Sequence, residues 1–130
     1  MVEAGISLER KRIVSEDDSI TFLGADVKPS LATPRMIMWM EYAARDAVLP
    51  HLEPGQDTVG VRVDVRHLAA TPVGAEVSYR ATVAAVEGRR VTFEVEALDG
   101  AEAVGKGLHE RYIIDVKRFA EGLKKKFGQA

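Results

Sequence analysis

Apolar residues recur at helical spacing over residues 32–47, in the run ATPRMIMWMEYAARDA. Apolar side chains cover nearly all sides of this segment, a pattern that is typical of a buried helix. Thr33 and Pro34 favour a helix start here, because threonine is a good N-cap and proline suits the first helical position. Pro50 and the run EPG at 53–55 mark its end. We therefore predict one long central helix.

After the helix the pattern changes to a period of two, which indicates half-buried strands joined by short turns. The predicted strands occupy residues 59–67, 75–83, 91–97 and 104–114. Asp99-Gly100 is a strong hairpin signal. Residues 116–127 have the apolar spacing of a short amphipathic helix. The chain is thus predicted to be one α+β domain, residues 1–130, with a helix packed on an antiparallel sheet.

The N-terminal part leaves two alternatives open. Residues 8–14 form either a first strand or an extended arm, because their alternation is poor. In the run SEDDS at 15–19, Ser15 caps a short helical turn, or the whole run is a solvated acidic loop. Residues 24–32 contain glycine and proline and are predicted to be a loop.

Composition narrows the class of protein. The chain has 130 residues, a net charge of −2 and no cysteine. The absence of cysteine excludes disulfides, thiolate zinc sites and a cysteine nucleophile, and the charge does not indicate a nucleic-acid partner. Three scattered histidines have no metal-ligand spacing, so no metal site is expected. No apolar run approaches the roughly 20 residues of a membrane helix, and no signal-peptide core is present, so we expect a cytoplasmic protein.

Two side chains stand out as candidates for chemistry. Glu41 is a carboxylate among large apolar neighbours in the middle of the predicted helix. The alternative is an ordinary surface ion pair with Arg45, one helical turn away. His67 stands at the end of a strand, and by alternation it shares a face with residues 59–65 that points toward the helix. The alternative is a histidine that is merely part of the core.

Thr33 is the third candidate. It is either only an N-cap or a hydroxyl beside free N–H groups that could hold a carbonyl oxygen or an oxyanion. A hydroxyl, an imidazole and a carboxylate together have the logic of acyl-transfer catalysis. Thr33 and Glu41 are eight residues apart on one helix, or about 12 Å. If they share a site, we expect it to lie between two subunits.

Several runs resemble the fluoroacetyl-CoA thioesterase-like branch of the hotdog-fold thioesterases. They are ATPRMIMWMEYAA (32–44), LEPG (52–55), HLAATPVG (67–74), VEGRR (86–90) and GKGLHERYII (105–114). The resemblance implies a hotdog fold, in which a curved antiparallel sheet wraps around one long central helix, with a short C-terminal helix after it. It also implies at least a homodimer.

The resemblance further implies hydrolysis of an acyl-CoA thioester, with CoA as part of the substrate and no cofactor. It places the catalytic positions on Thr33, Glu41 and His67, and substrate-binding positions on Gly60 and Arg111. It does not decide whether Glu41 or Thr33 is the nucleophile, or whether Glu41 activates water. A non-catalytic acyl-CoA binding protein is the alternative function. A hotdog hydratase is a weaker one, since the Asp/His motif typical of hydratases is not seen.

The acyl group and the CoA phosphates raise separate expectations. In the fluoroacetyl-CoA enzyme, phenylalanines form a lid over the acyl group, whereas residues 23–31 of this chain have none and only Phe22 is nearby. We therefore expect a short- or medium-chain acyl-CoA thioesterase rather than one selective for fluoroacetyl groups. The candidates for the phosphates are Arg35, Arg89, Arg90 and Lys124 to Lys126.

Overall fold

The computed structural model describes residues 1–128 and contains one long helix and one large sheet. The strands are β1 (Ser7–Ile13), β2 (Ser19–Ile20), β3 (Ser30–Leu31), β4 (Gln56–His67), β5 (Glu76–Glu87), β6 (Arg90–Asp99) and β7 (Glu102–Asp115). The helices are α1 (Thr33–Val48) and α2 (Val116–Phe127). The four long strands, the central helix and the C-terminal helix predicted from the sequence are confirmed.

The five longer strands form one antiparallel sheet in the order β1-β5-β6-β7-β4. Helix α1 contacts every strand of this sheet, so the sheet wraps around it. Small and branched side chains of β5 and β6 pack against the helix, together with Tyr79 of β5 and Phe93 of β6. All these side chains are buried. This is the hotdog architecture that the resemblance implied, and β1 is a strand rather than an extended arm.

Helix α1 buries one face rather than its whole surface. Its buried residues are Met36, Met40, Ala43, Ala44, Ala47 and Val48. The opposite side includes Tyr42, which is 49% exposed. The prediction of Thr33 as N-cap was wrong, because the backbone of Ala32 occupies the cap position and no side chain caps the helix. The hydroxyl of Thr33 is therefore free for another partner.

The run at 15–19 contains a short 3-10 turn that anchors the N-terminal segment on α1. The solvated-loop alternative was wrong, because Asp18 is only 1% exposed. Ser15 occupies the N-cap position of this turn, as predicted, although its side chain makes no cap hydrogen bond. Arg12 Nε and Trp39 Nε1 donate to Asp18 Oδ2 at 2.9 and 3.2 Å. The guanidinium of Arg12 also lies 3.7 Å above the Trp39 ring.

Strand β4 forms the outer edge of the sheet next to β7, and a β-bulge interrupts it between Gly60 and Arg62. Directly opposed residues share a face, and Gly60 pairs with the buried Arg111, so Gly60 faces the helix. Beyond the bulge the alternation is displaced by one residue, and Val63 and His67 face the helix instead. The prediction that His67 faces the helix stands, but its shared face with Val59 was wrong.

Helix α2 begins where β7 ends, and Asp115 caps it by accepting from the backbone N–H of Arg118 at 3.2 Å. All its described side chains are exposed, including the predicted apolar face. Within residues 1–128, no helix has the length and apolar character needed to span a membrane.

Candidate active site

Thr33 and His67 meet at the start of α1. The last residue of β4 carries His67, and its Nδ1 lies 2.8 Å from Thr33 Oγ1. Burial lowers the pKa of His67, and a backbone contact with Ala69 opposes this to a smaller degree. A neutral imidazole with an unprotonated Nδ1 can accept the hydroxyl hydrogen of Thr33. This pair has the geometry of a hydroxyl nucleophile beside its general base.

An apolar cavity of about 630 Å³ opens beside this pair. Its walls include Phe22, Leu31, Pro34, Leu68 and Ala69, together with Thr33 and His67. Polar atoms therefore lie at one wall of an otherwise apolar space. Such a combination is typical of a site that holds an apolar group and orients one reactive end of it.

The start of α1 offers fewer free N–H groups than the sequence suggested. Ala32 donates to the carbonyl of Asp18 at 2.8 Å, and Arg35 and the residue after it both donate to the carbonyl of Ala32. Pro34 has no N–H. Within the described chain, this leaves the backbone N–H of Thr33 as the available donor at this position, directly beside its own hydroxyl.

Glu41 belongs to a second polar group, in the middle of α1. Its Oε2 accepts from Arg111 Nη1 at 3.2 Å and lies 3.8 Å from His109 Nε2. The alternative pairing with Arg45 was wrong, because that guanidinium binds Asp57 through two hydrogen bonds of 2.9 and 2.7 Å. The Glu41 side chain keeps 36% of its surface exposed. Glu41 is therefore held from one side and open on the other.

Arg111 is fixed by two contacts with Thr58 on the face of the sheet that α1 covers. Its Nε donates to Thr58 Oγ1 at 2.7 Å, and its Nη2 donates to the Thr58 carbonyl at 2.9 Å. Burial lowers the pKa of Arg111, whereas the charge of Glu41 and its hydrogen bond raise it. The guanidinium stays charged, because even a substantial decrease from the ordinary arginine value leaves it protonated at neutral pH. It therefore presents a fixed positive charge to Glu41.

Gly60 gives this second group its space. A Cβ at this position would lie 2.5 Å from Glu41 Oε2 and 3.5 Å from Arg111 Nη1. A normal carbon–oxygen contact needs about 3.4 Å, so a larger residue would displace the carboxylate. Because Gly60 has no side chain, it leaves the space that the Glu41 carboxylate occupies.

The two groups stay separate within one chain. Thr33 and Glu41 lie eight residues apart on α1, about 12 Å along its axis. Within residues 1–128, Glu41 hydrogen-bonds to Arg111, whereas Thr33 hydrogen-bonds to His67. The five predicted site residues thus form two clusters, Thr33–His67 and Glu41–Gly60–Arg111.

The basic residues expected to meet CoA phosphates are dispersed. Arg89 donates to the carbonyl of Ile113 at 3.2 Å, and Arg90 Nε lies 4.0 Å from Glu110. Arg35 lies 3.8 Å from Asp18, and Lys124 to Lys126 stand in the last turn of α2. No group of three or more metal-ligand side chains is present among residues 1–128.

The sequence did not single out Thr58, and it indicated His109 only weakly, as a residue on the same strand face as Arg111. His109 is 1% exposed, although the adjacent residues along β7 alternate as if it were on a polar outer face. The face of β7 that carries Leu108 and Tyr112 is the exposed one. The available signal was the pattern His-x-Arg on one strand face, which places two bases side by side.

A family model described as fluoroacetyl-CoA-specific thioesterase matches residues 14–117. The chain belongs to this family. It is 39% identical, over 78% of its length and 73% of the relative's, to the fluoroacetyl-CoA thioesterase of Streptantibioticus cattleyicolor.

Solved structures agree with the assignment to the fluoroacetyl-CoA-specific thioesterase family. A solved structure of the fluoroacetyl-CoA thioesterase superposes with a TM-score of 0.87 at 32% identity, covering 97% of this chain and 98% of that one. A hot-dog-like protein from Thermanaerovibrio acidaminovorans also gives a TM-score of 0.87, at 28% identity and 98% and 94% coverage. The predicted family and the hotdog fold are thereby confirmed, and the family is one of thioester hydrolases.

Proposed function

We propose that this protein hydrolyses the thioester of an acyl-CoA, releasing a free acid and CoA. The observation that carries the proposal is the hydrogen bond of 2.8 Å between Thr33 Oγ1 and His67 Nδ1 at the wall of an apolar cavity. Membership of the thioesterase family supports the same reaction class. Overall, water adds its oxygen to the acyl carbon, the C–S bond breaks, and the thiolate of CoA takes up a proton.

In this proposal, each site residue has a separate role in the reaction. The backbone N–H of Thr33 polarises the thioester carbonyl, where charge develops as the tetrahedral intermediate forms. His67 accepts a proton from the attacking group and returns it to the departing thiolate. Glu41, held by Arg111, serves either as nucleophile or as the base that activates water, and Thr33 is the other candidate nucleophile. Gly60 and Arg111 shape the space around the reacting carbonyl.

A homodimer completes this site. Within residues 1–128, strand β4 ends the sheet with an unpaired edge, and Val61 and Val63 on it are 56% and 42% exposed. Unpaired edges with exposed apolar side chains pair readily with a second strand. In a two-fold pairing, β4 of each copy runs antiparallel to its partner. Centred near Val63, this pairing lays His67 of one copy near Gly60 and Glu41 of the other.

The acyl group is short or medium in length in this proposal. The cavity of about 630 Å³ exceeds the space that a two-carbon acyl group needs, and its walls are mainly apolar. Phe22 lies at this cavity with 79% of its surface exposed, so it leaves the cavity open. Selectivity for a fluorinated two-carbon group would need closer contacts than an open apolar wall provides.

The test is thiol release from a panel of acetyl-, fluoroacetyl-, longer-chain and aryl-CoA esters. We expect turnover with the wild type, and a loss of at least about 100-fold in kcat for Glu41→Gln and for His67→Ala with the fold intact. Matched controls are Glu87→Gln, at the exposed end of β5, and His51→Ala, at an exposed position after α1, and both should keep wild-type rates. Near-normal turnover of both site variants would refute the assignment. Binding of acyl-CoA without thiol release would favour the non-catalytic alternative.

A further inference from the structure

His109 has an unusual position for a histidine. It is 1% exposed, stacks on Phe93 with ring centroids 6.2 Å apart, and has a hydrogen-bond partner at each ring nitrogen. None of the sequence motifs used above includes it as a site residue. It lies between the bulged edge strand β4 and the Glu41–Arg111 pair, so it links the two.

The partners of His109 determine its protonation state. Nδ1 lies 2.8 Å from the carbonyl oxygen of Arg62, and because a carbonyl only accepts, Nδ1 carries the hydrogen. Nε2 lies 3.2 Å from Arg111 Nη1, and because a guanidinium only donates, Nε2 is the acceptor. His109 is therefore the neutral Nδ1–H tautomer. Burial lowers its pKa, which favours the same neutral form.

Arg111 Nη1 divides its two hydrogens between two acceptors. One reaches His109 Nε2 and the other reaches Glu41 Oε2, both at 3.2 Å. The remaining contacts of Arg111, to Thr58, hold its Nε and Nη2 side. Because the guanidinium is rigid and planar, Thr58 and His109 hold it together, and His109 is the contact at Nη1, the nitrogen beside Glu41.

His109 also contacts the β-bulge of strand β4. The Arg62 carbonyl that it binds lies immediately after the bulge at Gly60, the residue whose missing Cβ makes room for Glu41. One imidazole therefore fixes the bulge through Nδ1 and the guanidinium through Nε2. The Nδ1 contact ties the ring to β4, and the Nε2 contact holds the guanidinium beside the carboxylate.

We propose that His109 is a positioning residue for the thioesterase reaction, which aims Arg111, and through it Glu41, at the reacting thioester. The inference rests on the proposed function, because it assumes that Glu41 acts on the substrate. His109 itself does not touch the substrate, since it is buried beneath Arg111 and Phe93. Its neutral tautomer is required, because a protonated Nε2 could not accept from Arg111.

Two conservative variants separate positioning from structural support. Asparagine places its amide near the position of Nδ1 and keeps the donor to Arg62, but loses the acceptor for Arg111. Glutamine reaches the position of Nε2 and keeps the acceptor, but loses the donor to Arg62. We expect His109→Asn to lose at least about tenfold in kcat with KM within threefold and a near-normal Tm. We expect His109→Gln to keep kcat within about threefold and to melt at a lower temperature.

The outcomes are read from thiol-release kinetics, thermal melts and a control, His51→Gln, at an exposed position. Wild-type kcat in both variants would overturn the proposal. So would a loss of kcat that follows the loss of Tm, with glutamine worse than asparagine. A wild type that releases no thiol from any ester would instead refute the proposed function, and the inference with it.

A measurement on the wild type stands independent of whether the variants fold. The imidazole ¹⁵N chemical shifts of His109 at neutral pH should report a protonated Nδ1 and an unprotonated Nε2. The opposite tautomer, or a doubly protonated ring, would overturn the proposal.

Discussion

Gly60→Ala tests the geometry around Glu41 with the smallest possible change. The added methyl would lie 2.5 Å from Glu41 Oε2 and 3.2 Å from His109 Cε1. The backbone at Gly60 does not have the positive φ that favours glycine, so alanine is compatible with the strand. The atom that must move is the far end of a flexible side chain. Folding should therefore be nearly unaffected, whereas the carboxylate must shift.

The size of that shift sets the expected effect. Restoring an ordinary contact moves Oε2 by about 1 Å. Its distance to Arg111 Nη1, 3.2 Å in the wild type, then exceeds hydrogen-bonding range if the carboxylate moves directly away. A misplacement of about 1 Å in a catalytic group costs on the order of 100-fold in rate. We expect kcat/KM to decrease by about that factor, equivalent to about 2.7 kcal/mol of transition-state stabilisation.

The assay is thiol release with the best ester of the panel, together with a thermal melt. Gly122→Ala is the matched control, because its added Cβ would contact nothing within 4 Å and the position is exposed in α2. It should keep the wild-type rate and be stabilised by up to about 1 kcal/mol, since alanine is the better helix former. A Gly60→Ala enzyme that is folded and within threefold of the wild-type kcat/KM would refute the reasoning.

Two further predictions concern pH and assembly. Burial lowers the pKa of both His67 and His109, so below about pH 6.5 the unfolded chain takes up protons that the folded chain does not. The Tm should stay constant above that pH and decrease below it, and the decrease should be smaller in His109→Asn. A Tm that rises as the pH is lowered from 7 to 5.5 would contradict this. Val63→Lys, on the unpaired edge of β4, should yield a folded monomer without thioesterase activity, as measured by ultracentrifugation and thiol release. Leu108→Lys, an equally exposed position at 42%, is the control, and an active monomeric Val63→Lys protein would disprove the shared site.

The elements of the fold followed from local patterns. The apolar residues at 32–47 are removed from water when one face of a helix is buried. The period-two runs bury their apolar residues when they form strands with one covered side. The positions of Thr33 and His67 near each other did not follow from any local pattern. They meet because β4 ends beside the start of α1, a contact between residues 34 positions apart in the chain.

The sequence by itself determined the helix, the strand alternation, the family and the separation of Thr33 from Glu41, because each depends on spacing or on motifs along the chain. Only the tertiary structure decided the partner of Glu41. The local partner Arg45 binds Asp57, and the distant Arg111 takes its place. It also decided which residues of β4 face the helix, because one β-bulge displaces the alternation. A bulge is a mismatch between two strands, and neither strand alone encodes it.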